Sequence, residues 1–186
     1  MGAGGRWSAV FLLAACWTTG TAAQGPPEPP GYRLDDYRSP TPLTVLGRAA
    51  VDTDEAYRLW QTGDALFVDV LPAPRRPEGL APGAVWTPRP RRGVPGAVWL
   101  PEVGRGALNK AVEAWFRARL AALTGGNTDR TLVFYCLADC WMSWNATKRA
   151  IEWGYRNALW YRRGIDEWEA AGLPLAEETR PEDLPR

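Results

Sequence analysis

The 186-residue chain predicts an α/β fold, a three-layer sandwich with a mainly parallel central sheet flanked by helices on both faces. Two apolar runs, ALFVDVL (65–71) and TLVFYC (131–136), are rich in β-branched and aromatic residues and alternate little, as strands covered on both faces do. Segments with helical spacing and glycine stops separate and follow them. With 46% hydrophobic residues the chain can bury one core, so a single domain is expected.

The first 23 residues, MGAGGRWSAVFLLAACWTTGTAA, carry one basic residue, Arg6, a short apolar run and small residues before Ala23. This is the pattern of a secretory leader, and its apolar run is too short to stay in a bilayer as a spanning helix. Export to the periplasm is expected, with no transmembrane helix once the leader is removed. Leu13-Ala14-Ala15-Cys16 also resembles a lipobox, which gives the alternative of a lipoprotein anchored through Cys16. Cleavage after Ala23 leaves two cysteines, an even pair in an oxidising compartment.

Residues 24–45, QGPPEPPGYRLDDYRSPTPLTV, are proline-dense and lack apolar periodicity, so they read as an extended linker or arm. The domain is placed at 46–176. Asp52 to Glu55 cap a short helix with Ala56, Leu59 and Trp60 inward and Gly63 as its stop. Strand 65–71 follows, and Asp69 breaks its apolar run near the carboxyl end, where open α/β sheets gather ligands; it is a structural acid or part of a site.

Residues 72–93 form a long proline- and arginine-rich excursion. Its arginines Arg75, Arg76, Arg89, Arg91 and Arg92 either gather at the sheet edge to attract an anion or acidic partner, or stay solvated. VPGAVWLP (94–101) supplies a turn and a short strand, and 107–126 has helical spacing and a glycine stop. After strand 131–136 come a helix over 141–154, a short strand in ALWYRRG and a last helix over 165–172. Residues 177–186 read as a flexible tail.

Basic and acidic residues nearly balance, 22 against 21, so no strong field marks nucleic acid as a partner. Histidine is absent. That removes a Ser-His-Asp triad, a Cys-His pair, histidine-ligated zinc and haem attachment through C-x-x-C-H. Acids, bases and nucleophiles must come from Cys, Asp, Glu, Lys or Tyr.

Attention therefore falls on FYCLADCWMSW (134–144), where two cysteines lie four positions apart between a strand and a helix. Free amide groups of such a turn and the helix dipole favour thiolate at Cys136, and Cys140 lies one turn onward. The pair is a redox dithiol, or Cys136 carries sulfur as a persulfide that Cys140 releases, or the sulfurs are half of a metal or cofactor site. Too few soft ligands remain in the chain for the third reading. A plain structural disulfide is the fourth, although so short a loop gains only on the order of 2 kcal/mol from cross-linking. Asp139 sits between the thiols, to raise a cysteine pKa, to relay a proton or to cap the helix at Trp141 to Ser143. Trp141 and Trp144 share a helix face, either as a dry wall for a flat cofactor or partner or as core.

These pieces resemble the rhodanese domain. GDALFVDVL is similar to its strand ending in Asp-Val-Arg, VPGAVWLP to its Ile-Pro-Gly-Ala motif, and FYC with the following helix and YRRGIDEWEAAGLPL to its catalytic strand, loop and closing segment, over about residues 46–176. Within that superfamily, Cys136, Cys140 and Trp141 in an exported chain resemble the pyrroloquinoline-quinone (PQQ)-dependent catabolism-associated CXXCW motif proteins. The resemblance implies a rhodanese-like fold and an accessory role beside periplasmic PQQ-dependent alcohol oxidation. Its partner would be a quinoprotein alcohol dehydrogenase system or a cytochrome, with no metal site and a cofactor the sequence does not specify.

By position, Cys136 matches the persulfide-forming cysteine. Asp139, Cys140 and Trp141 stand where rhodanese loops hold a glycine and a closing arginine, Leu71 replaces the arginine after Asp69-Val70, and Gly93 stands where histidine is common. An acidic loop without its arginine makes a poor thiosulfate site. The candidate catalytic residues are thus Cys136, Cys140 and Asp139, with Trp141, Ser143, Asp69, Arg91 and Arg92 as candidates for contacting substrate or partner.

Overall fold

The computed structural model describes residues 1–2 and 25–185; the expected leader, including Cys16, lies outside the described residues apart from its first two positions. In chain order the elements are β1 (Thr44–Val45), β2 (Arg48–Ala49), α1 (Thr53–Thr62), β3 (Ala65–Asp69), β4 (Arg91–Gly93), β5 (Val98–Trp99), α2 (Lys110–Thr124), β6 (Thr131–Tyr135), α3 (Trp141–Glu152), β7 (Ala158–Trp160), α4 (Gly164–Ala170) and β8 (Ala176–Glu178).

Helix ends follow the local chemistry. Asp52 accepts from Glu55 N (2.8 Å) to cap α1, and Gly63, at φ 69°, closes it in the left-handed region. Asn109 caps α2 through Val112 N (2.8 Å), with Gly125 at its other end.

A four-stranded parallel sheet in the order β5-β3-β6-β7 forms the middle layer. Leu66 lies opposite Leu132, Val68 opposite Phe134 and Asp69 opposite Tyr135. Because side chains alternate across a strand, Val68, Leu132 and Phe134 enter a core with Phe116 and Leu120 of α2 and Ala146 and Ala150 of α3. Phe67, Val133 and Tyr135 enter the other, with Leu59 of α1 and Ile165 and Trp168 of α4. Both faces are covered, which is why the two strand sequences are apolar throughout and is the expected α/β sandwich. No helix among the described residues is long and apolar enough to cross a membrane.

The two chain ends do more than the sequence suggests. Residues 28–43 hold almost no regular structure, with Asp36 at φ 41°, and dock on α3 and the turn before it. Asn145 accepts from Arg33 N (2.9 Å) and donates to Arg33 O (2.8 Å), and Lys148 Nζ donates to the carbonyls of Pro30 (2.9 Å) and Gly31 (3.1 Å). With the sheet on its other side, every residue from Trp141 to Ala150 is buried. At the other end, Glu177 and Glu178 do not belong to a loose tail: β8 pairs antiparallel with β4, setting Glu178 opposite Arg91 and Glu177 opposite Arg92. The reason is electrostatic, since a carboxylate from the chain end meets the arginine that closes over Asp69.

Candidate functional site: the cysteine loop

Strand β6 delivers Cys136 to the carboxyl end of the sheet, and five residues later α3 begins. Cys136 and Cys140 are joined in a disulfide with their Cα atoms 6.2 Å apart. Loop curvature comes from Asp139, whose φ of 49° places it in the left-handed region that Asp tolerates better than most residues. Gly164, at φ 54°, packs so tightly on the Cys136 carbonyl that a side chain there would collide with it. Ile165 N donates to that carbonyl (2.9 Å), and Ala138 N donates to Asp166 Oδ2 (3.0 Å).

Two expectations about the loop need correcting. Cys140, not Asp139, occupies the N-cap position of α3, and it makes no side-chain cap bond. Asp139 instead pairs with Arg162 (3.0 Å) and accepts from Thr41 Oγ1 (3.3 Å), because its left-handed backbone turns the carboxylate away from the helix amides. Of the amides that a strand-loop-helix turn is expected to leave facing the sulfur, two are already taken. Ala138 N is engaged by Asp166, and Trp141 N by the carbonyl of Tyr37 (2.9 Å).

The disulfide is closed to solvent, with Cys136 0% and Cys140 1% exposed. The core covers it from within, and the arm lies over the Cys140 side: Arg38 forms an antiparallel bridge with Cys140, Trp141 Nε1 donates to Ser39 Oγ (3.0 Å), and Arg162 Nε donates to Thr41 Oγ1 (2.8 Å). Trp141 is correspondingly 3% exposed and packs edge-on against Trp144, with ring centroids 5.3 Å apart. It is no open wall for a flat ligand. Ser143 is fully buried; it donates to the Cys140 carbonyl (2.9 Å) and accepts from Trp160 Nε1 (3.0 Å), tying α3 to β7.

Asp69 and Arg91 belong to a second cluster and do not join the cysteines. Asp69 and Tyr135, register partners, turn to the α1 and α4 side, whereas Cys136 packs on the α2 and α3 side. Asp69 accepts from Leu71 N (2.8 Å) and Arg91 Nε (2.7 Å), and Glu178 lies 3.5 Å from the same guanidinium. Tyr135 donates to Glu178 Oε1 (2.8 Å) and accepts from Val94 N (3.0 Å). Burial, then the neighbouring Asp69 charge, pushes the Glu178 carboxyl up to about 8, so it holds a proton at neutral pH. Burial also raises Asp69, against the pull of Arg91, and raises Tyr135. Arg92 is exposed on β4, away from both groups.

Arg162 and Glu178 are the residues that sequence reasoning missed. YRRG shows an arginine after a strand, but nothing local says that it reaches Asp139 across 23 positions. Two cavities lie near Arg180, and only the smaller touches the Asp69 cluster. One, of about 280 Å³, is walled by Trp86, Arg89, Arg91, Trp99, Glu178 and Arg180; the other, of about 680 Å³, lies between Arg75, Glu102, Arg105 and Arg180. Neither is lined by a cysteine. Among the described residues no cluster of three or more His, Cys, Asp or Glu could hold a metal ion.

Comparison with solved structures finds similar chains at low identity. A human single-domain sulfurtransferase is 25% identical, with 65% of this chain and 95% of that one covered and a TM-score of 0.39. The polysulfide-sulfur transferase homodimer of Wolinella succinogenes is 18% identical over 72% of this chain and 81% of that one, TM-score 0.43. An uncharacterized protein from Saccharomyces cerevisiae is 18% identical over 66% of this chain and 92% of that one, TM-score 0.41. No curated protein matches the chain. The rhodanese-like domain model, however, matches residues 52–171, which spans β3, β6, the cysteine loop and α4, and on that match the chain belongs to the rhodanese-like domain family.

Proposed function

We propose that this protein is a thiol-disulfide redox protein on a rhodanese-like scaffold, exported and accessory to PQQ-dependent alcohol oxidation. One observation carries the redox part: the cysteine at the end of β6, in the family's nucleophile position, is paired with Cys140 in a disulfide. A structural cross-link of so short a loop adds only about 2 kcal/mol of stability, a weak reason for placing two cysteines there. The quinoprotein setting is supported by the leader and by the Cys-x-x-x-Cys-Trp pattern of Cys136, Cys140 and Trp141.

In the reaction, a thiolate of a partner dithiol attacks one sulfur of the pair, forming a mixed disulfide and releasing the other cysteine as thiolate. The partner's second thiolate displaces the bound cysteine. The partner leaves oxidised, two electrons remain on Cys136 and Cys140, and the partner's two protons reach them through solvent. Trapping free thiols by alkylation in freshly opened cells tests this. A mixture of closed and open pairs that shifts when alcohol is supplied is expected; a pair closed under every condition contradicts it.

Sulfur transfer is the second reading, favoured by the position of Cys136 in the rhodanese-like match. It requires the disulfide to open first, and the loop then offers Arg162, held by Asp139, in place of a loop arginine. Mass spectrometry after reduction and incubation with thiosulfate decides it: one added sulfur at Cys136 supports transfer, and an unmodified cysteine removes it.

A further inference from the structure

The arm over the cysteine loop does not cover it as a shapeless plug. It lies there as a strand would. Tyr37 O accepts from Trp141 N (2.9 Å), Arg38 faces Cys140 in an antiparallel bridge, and Ser39 and Thr41 make side-chain bonds to Trp141 and Arg162. Main-chain pairing of this kind recognises an extended backbone whatever its side chains, which is how exposed strand edges take up peptides.

Residues directly opposed across such a bridge have Cβ atoms about 4.5–5.5 Å apart, close to the roughly 3.5–4.5 Å that a disulfide spans. A cysteine at the place of Arg38 would therefore lie within a small shift of bonding distance from Cys140. Arg38 itself is exposed, with its guanidinium 3.9 Å from Asp166 and no part in the core. The arm thus occupies, with an unreactive residue, the position from which a polypeptide thiol reaches the pair. Small thiols in solution meet a disulfide whose cysteines are 0% and 1% exposed.

We propose that the surface over Cys140 and Trp141 is a docking groove for an extended polypeptide segment carrying a cysteine, and that residues 37–41 fill it in competition with that partner. This rests on the redox reading of the pair and names its substrate class: protein thiols presented on an extended chain. The incoming segment displaces residues 37–41 and pairs with Cys140 in their place. Its thiolate, having given its proton to solvent, attacks Cys140 Sγ; the bond between the two sulfurs breaks, and Cys136 leaves with the electron pair and takes up a proton. A second cysteine of the partner then attacks the mixed disulfide and carries it away as its own disulfide, leaving Cys140 reduced.

The test uses the whole protein and a synthetic peptide of residues 33–41 carrying Arg38→Cys, with glutathione as the small-thiol control at equal thiolate concentration. The peptide is expected to form a mixed disulfide mapped to Cys140 about tenfold faster than glutathione does. In the Ser39→Ala/Thr41→Ala protein, whose arm has lost its side-chain bonds, the peptide rate is expected to rise about tenfold further, the shift expected for hydrogen bonds of this kind. Equal rates for peptide and glutathione in both proteins overturn the groove while leaving the redox reading standing. No reaction with either thiol in the folded protein, against ready reduction once it is unfolded, overturns the redox reading and the groove with it.

Discussion

Arg162 donates to Asp139 (3.0 Å) and to Thr41 Oγ1 (2.8 Å), so one guanidinium joins the middle of the cysteine loop to the arm that covers it. Arginine suits this place because its planar fork serves two acceptors at once and its charge offsets the carboxylate of Asp139. The half-exposed setting of Asp139 keeps the pair weak in isolation, and its effect lies in what it holds together.

Arg162→Ala is expected to cost about 1–2 kcal/mol of folding stability, the sum of a screened ion pair and the bonds to Thr41. The larger effect is kinetic: faster reduction of the disulfide by a small phosphine, because the arm opens more often. Stopped-flow reduction with denaturant unfolding in parallel checks both, and an unchanged reduction rate would show that Arg162 does not hold the cover.

Stability should depend on pH through Glu178. Its folded value, about 8, lies above its ordinary 4.5, so the folded state binds the proton more tightly than the unfolded chain does. The sign follows: the contribution is fully present below pH 4.5, diminishes above it and is lost as pH rises through about 8. Asp69, also raised by burial, acts in the same direction. Denaturant unfolding from pH 5 to pH 9 should show falling stability, and Glu178→Gln, which keeps a neutral hydrogen-bonding group, should flatten the profile. A wild-type profile rising across this range contradicts a protonated Glu178.

Gly164→Ala is expected to destabilise the fold by about 1–3 kcal/mol, since a Cβ is strained at positive φ and collides with the Cys136 carbonyl. The substitution moves the loop, not the sheet. Thermal unfolding gives the loss, and faster disulfide reduction reports the displaced loop.

Asn145→Ala should loosen the arm from α3. Asn145 bonds both polar groups of Arg33 and donates to Gly104 O (2.9 Å), and its removal leaves buried backbone groups without partners at about 1–3 kcal/mol. Limited proteolysis should cut within residues 30–41 of the variant several times faster than in the wild type, with the domain core resistant in both.

Legibility in the sequence followed the range of the interactions. Strands at 65–69 and 131–135 announced themselves because both their faces are buried, and α1 because Asp52 and Gly63 act within a turn of their own positions. The cysteine loop was placed correctly between strand and helix for the same local reason. What stayed hidden depends on partners far along the chain. Asn145, Lys148 and Arg149 are polar helix residues with no local sign of burial, yet all are buried, because carbonyls of residues 30–33 and of Val103 and Gly106 meet them. Proline density suggested a free arm, although proline also stiffens a chain for extended docking. Glu178 read as part of a flexible tail, and only the antiparallel pairing that sets it opposite Arg91 reveals it as a buried carboxyl beside Asp69.

The reduction potential of Cys136 and Cys140, measured by equilibrium against a dithiol redox buffer, tests the central claim most directly. A pair that cycles is expected to equilibrate well above about −300 mV, in the range where cellular dithiols exchange with it. A value below that level would mark a cross-link that the cell cannot open, and the redox assignment would fall.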